Sequence, residues 1–120
     1  MTLSAGIAST YPRLYRGVTQ DLLTAAASTG PGQIYQLPQD EFGPPTRLSI
    51  DVISVGGGAS INIEGSDDPS FGTGEVAVLE TVSTTGKTFI VDKPVGYIRA
   101  NLISLVSGTC TVRGTNAGRS

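Results

Sequence analysis

The chain has 120 residues, enough for one ordinary domain that buries roughly two thirds of its unfolded surface, so a core forms without help from a metal or a disulfide. Sixteen glycines and seven prolines among many Thr, Ser, Val and Ile weigh against a helical fold, and a net charge of −2 weighs against a polycationic surface for nucleic-acid phosphates. A single cysteine excludes an internal disulfide, and the absence of histidine excludes Ser-His-Asp and Cys-His catalysis.

Taken from the N-terminus, residues 1 to 33 are expected to be an arm. "MTLSAGIAST" has neither the basic start nor the continuous apolar stretch of a secretory leader, and no apolar run reaches the roughly 20 residues of a membrane span, which predicts a chain made in a cytoplasm. "YPRLYRG" follows, with Tyr11, Arg13, Leu14, Tyr15 and Arg16. Aromatic residues beside arginine are favoured interface anchors, because they bury much area with few rotors. The arm is therefore expected to leave its own domain and dock on a neighbour, its arginines meeting carboxylates. "VTQDLLTAAA" is read as extended, with a short helix as the alternative before Gly30 and Pro31 stop it.

From Ile34 to the end, a single antiparallel β-sandwich of jelly-roll type is expected, with about seven or eight strands separated by turns at sandwich-like spacing. "IYQL" is a short strand and "QDEFGPPT" a loop. "RLSIDVISV" sets Leu48, Ile50 and Val52 on one face, with a change of phase at Ile53 and Val55 that predicts a bulge or burial on both faces. "ASINIEG" turns Ile61 and Ile63 inward and Ser60, Asn62 and Glu64 outward; "EVAVLETV" and "TFIVD" contribute Val78 and Ile90 to the core. "GYIRANLIS" sets Ile98, Ala100 and Leu102 inward, leaving Tyr97, Arg99 and Asn101 on the outer face. "SGT" is then expected to turn the chain into a hairpin, returning through Cys110 and Val112, with Arg113 projecting from the same outer surface as Arg99.

Little in this pattern offers chemistry. "VGGGAS" lacks the lysine and the following helix of a phosphate-binding loop. "EGSDDPSFGTGE" is the one stretch with metal-ligand character, through Glu64, Asp67, Asp68 and Glu75, but without EF-hand spacing it reads first as a solvated turn. With no tryptophan, an aromatic-lined sugar cleft is not expected. No catalytic residue, cofactor, resident metal or small-molecule ligand is assigned.

"INIEGSDDPSF" followed by "VDKPVGYIRANLISLVSGTCTVRG" resembles a pattern in small β-sandwich proteins of tailed bacteriophage particles, above all capsid decoration or cement proteins, over roughly residues 48 to 114. The resemblance implies a non-enzymatic virion protein on the capsid exterior that clamps neighbouring major capsid subunits and contacts copies of itself, as a dimer or trimer, without direct nucleic-acid or membrane contact. A tail- or fibre-associated sandwich and a carbohydrate-binding jelly-roll module are the alternatives.

Overall fold

The computed structural model describes residues 11–15, 17–37, 46–72, 74–90 and 96–119. No described residue is helical, and the strands are β1 (Thr19–Ala26), β2 (Gly30–Pro31), β3 (Tyr35–Gln36), β4 (Thr46–Ser54), β5 (Ser60–Ser66), β6 (Ala77–Val82), β7 (Gly86–Ile90), β8 (Tyr97–Ser104) and β9 (Cys110–Arg119). The pairs nest. β1 lies on β9, β2 and β3 on β8, β4 on β7, and β5 on β6, all antiparallel. Two further antiparallel contacts, β4 with β9 and β5 with β8, join the pairs into sheets. One sheet has the order β1-β9-β4-β7; the other has β2-β8-β5-β6, with β3 also on β8.

Period-two alternation explains where the core lies. Leu48, Ile50 and Val52 of β4, Ile61 and Ile63 of β5, Ile98, Ala100 and Leu102 of β8, and Cys110 and Val112 of β9 are all buried in one apolar cluster. Each of the Val, Leu and Ile side chains contributes about 1.5–3 kcal/mol on leaving water. Cys110 behaves as a small hydrophobe, its sulfur accepting a 3.4 Å contact from the Gly56 amide. The expected irregularity near Ile53 is a register shift between Val52 and Ser54 that leaves Ile53 exposed.

Three expectations are corrected. Val78 is 53% exposed and Leu79 takes its place in the core, because the β5–β6 register slips between Ile63 and Glu64. A slip of one residue exchanges the faces of everything beyond it. β8 and β9 are not a hairpin: they belong to different sheets, and the segment between them crosses from one sheet to the other, tied by the Gly57–Ser107 bridge. Finally, much of the expected arm is built into the sandwich. The segment 19–26 is edge strand β1, and Leu14, Leu22 and Leu23 are core residues.

This N-terminal region closes one side of the sandwich. The Tyr35 hydroxyl donates to the Asp21 carbonyl at 2.9 Å, joining the edge of one sheet to the edge of the other. Gly32 lies against β1 so closely that a Cβ there would stand 2.0 Å from the Leu22 carbonyl oxygen, a contact only glycine allows. Buried Asn116 of β9 donates from Nδ2 to the Leu14 carbonyl at 2.9 Å, holding Leu14 over the core.

Candidate functional site

The polar residues expected on the outer face of "GYIRANLIS" do lie there, but they are covered. In the β5–β8 register Glu64 stands opposite Arg99, Asn62 opposite Asn101 and Ser66 opposite Tyr97. Arg99 Nε donates to Glu64 Oε1 at 2.8 Å and Asn101 Nδ2 to Glu64 Oε2 at 3.1 Å, so both carboxylate oxygens are engaged although Glu64 is only 5% exposed. An ion pair this deep persists only when its remaining hydrogen-bonding capacity is met.

The cover is Phe71, from the loop between β5 and β6. Its ring lies over the Arg99 guanidinium at 4.2 Å, a cation–π contact in a shielded setting. The loop is bent to deliver it. Ser66 Oγ accepts from the Asp68 amide at 3.0 Å, Asp68 Oδ1 accepts from the Ser70 amide at 3.1 Å, and the Asp68 carbonyl accepts from Phe71 N–H at 3.1 Å. Phe71 itself adopts φ 50°, the left-handed region that non-glycine residues occupy only when their surroundings hold them there. At the other end of the row the Tyr97 ring meets Tyr11 edge to face, with centroids 6.1 Å apart.

Glu64 is thus separated from the acidic turn that its sequence neighbourhood suggested. Asp67, Asp68, Gly74 and Glu75 line an open cleft of about 400 Å³ to which Glu64 does not contribute. The volume suits a small ligand, but the described lining residues, three carboxylates and a glycine, supply little of the apolar wall such sites use. The Ser70 amide holds the Asp68 carboxyl below the usual carboxylate range, and hydrogen bonding to Asp68 holds Glu75 above it. Among the described residues no group of three or more acidic, cysteine or histidine side chains is placed to hold a metal ion.

The residues expected to anchor a neighbour are dispersed. Leu14 is fully buried in its own domain, which removes it as an intermolecular anchor. Arg13 Nε bonds to Gln36 Oε1 at 3.2 Å, Tyr11 packs on Tyr97, and Tyr15 alone of the group's apolar side chains stands well exposed, at 45%. Arg16 and residues 1–10 lie outside the described residues. Arg113 does not share a surface with Arg99: it is on β9, in the four-stranded sheet, where Nε meets Asp21 Oδ1 at 3.0 Å. Phe71 and Asn116 are the structural members that sequence reasoning missed. Phe71 sits in a loop and carries no periodicity signal, whereas Asn116 falls in phase with inward Cys110, Val112 and Gly114 but is polar and so does not read as a core position.

No protein-family model matches the chain, and no curated protein or solved structure matches it.

Proposed function

We propose that the chain is a non-enzymatic structural protein that decorates the outside of a tailed-phage capsid and clamps neighbouring major capsid subunits. The observation that carries the reading is the joining of its two resemblance-bearing motifs: Glu64 of "INIEGSDDPSF" is gripped by Arg99 and Asn101 of "GYIRANLIS" under Phe71 of the first motif. A motif whose charged groups are consumed in holding a loop to a sheet serves shape rather than turnover.

The reading extends to the fold, which we take to be a jelly roll. If β2 and β3 are counted as one interrupted strand, eight strands pair first with last, second with seventh, third with sixth and fourth with fifth. That nesting supports the double Greek key used by many capsid and lectin domains. A carbohydrate-binding platform draws less support, because exposed Phe89 lies on edge strand β7 of the four-stranded sheet, whereas exposed Tyr15 lies in no strand and precedes β1.

On this reading, shell contact falls to exposed apolar groups such as Tyr15 and loop-tip Val106, together with the segment preceding Tyr11. Many modest contacts suffice, since binding only the assembled shell stabilises it by mass action. The test is co-sedimentation of the purified protein with expanded, empty shells assembled from the major capsid protein of the genome that encodes this chain. Saturable pelleting supports the proposal; a chain that stays in the supernatant at every ratio removes it.

A further inference from the structure

The outer face of the four-stranded sheet carries an ordered row of charge. Cross-strand register places Asp21 of β1 beside Arg113 of β9, Arg113 beside Asp51 of β4, and Asp51 beside Lys87 of β7. Four strands therefore present the sequence minus, plus, minus, plus along one line perpendicular to the strands. The next row is Thr19, Thr115, Ser49 and Phe89. Thr19 and Thr115 share a 2.7 Å hydroxyl bond, and Phe89 is 55% exposed with the Arg47 guanidinium 5.7 Å from its ring centre. Arg113 is bonded to Asp21, whereas Asp51 and Lys87 enter no ion pair among the described residues.

A row that alternates in this way is complementary to its own reverse. We propose that this face is a self-association surface, on which two copies pack their four-stranded sheets together about a two-fold axis parallel to the strands and lying between β9 and β4. That axis reverses the row, so Asp21 faces Lys87 of the second copy and Arg113 faces its Asp51, each twice by symmetry. An axis along the row would instead set Asp21 against Asp21 and Lys87 against Lys87, so charge selects the first arrangement. It also keeps the strands of the two copies near alignment, the geometry twisted sheets adopt when stacked. Phe89 then covers the threonine end of the opposite row.

The face is small. Four strands about 4.8 Å apart and a usable strand length of roughly 20 Å give less than the roughly 800 Å² per partner of standard interfaces. The dimer is accordingly weak and sensitive to salt, since pairs between exposed side chains are worth about 0–1 kcal/mol each and are weakened by salt. This association does not depend on whether the chain decorates a capsid.

Sedimentation equilibrium of the full chain at low ionic strength tests it, with circular dichroism as the check that each variant is folded. The wild type is expected to form a dimer that weakens with salt. Lys87→Asp and Asp21→Lys, each alone, set like charges against one another across the axis and are expected to raise the dissociation constant roughly tenfold or more. Mixed together they restore opposite charges at every position, so the mixture is expected to form a heterodimer that neither variant forms alone. A monomeric wild type, a higher oligomer, dimers indifferent to the single reversals, or a mixture no tighter than its parts would each overturn the proposal.

Discussion

Replacing Arg99 by alanine probes the joint that holds the two motifs together. The substitution removes the 2.8 Å partner of Glu64 and the cation under Phe71, leaving a carboxylate that is 5% exposed with Asn101 as its remaining side-chain donor. Breaking a buried pair by deleting one partner costs about 3–5 kcal/mol. Here the Arg99 side chain retains 16% exposure, so the lower end applies, and loss of the ring contact adds about 1 kcal/mol. The sum is about 4 kcal/mol, a large share of the roughly 6–18 kcal/mol expected for a domain of this length. Urea unfolding followed by circular dichroism measures it, with Glu64→Gln and the double variant completing a thermodynamic cycle. The double variant is expected to lose less than the two single losses added, by at least about 1.5 kcal/mol, because it no longer buries an unpaired charge. A loss below about 1 kcal/mol for Arg99→Ala, or strict additivity, would show that the pair is an ordinary surface contact.

Other predictions follow from the corrected register and from the acidic loop. Leu79→Ala is expected to cost about 2–5 kcal/mol and Val78→Ala less than about 0.5 kcal/mol, an order that would reverse if the slip at Ile63 and Glu64 were absent. Leu14→Ala is expected to lower the unfolding midpoint by the equivalent of about 2–5 kcal/mol, whereas Tyr15→Ala leaves it unchanged and weakens shell binding; the opposite result would return Leu14 to an external role. In a carboxyl NMR titration Glu75 is expected to hold its proton to higher pH than Asp68, and Asp68→Asn to bring Glu75 down. By linkage, the contribution of Glu75 to stability is lost as pH rises through its folded range and that of Asp68 as pH falls through its own, both slightly, since the pair is exposed. Glu75 titrating first, below Asp68, would contradict the shared hydrogen bond.

Strand positions and inward faces were legible because alternation reports burial directly: of the core residues expected from Leu48 onward, Val78 alone was misplaced. Partner choice was not legible. The alternation in "GYIRANLIS" and "TCTVRG" is the same whether the two strands form a hairpin or belong to opposite sheets, so the crossover at Gly57 and Ser107 left no trace in it. The N-terminal region misled for a related reason. Tyr, Pro, Leu and Arg in succession suit an interface anchor and a segment packed onto its own sandwich equally well, and Asn116, far along the chain, decides between them by holding Leu14. Glu64, Arg99 and Asn101 were correctly placed on an outer face, yet their burial depends on a turn that swings Phe71 over them, a tertiary event no local period encodes.

Electron cryomicroscopy of shells incubated with the protein reads the proposed binding position directly. Shells assembled from the major capsid protein of the same genome should gain sandwich-sized density on the outer surface, at junctions between neighbouring subunits, when the chain is added. Shells with no added density, or with density only on the inner surface or at a tail vertex, would contradict the account.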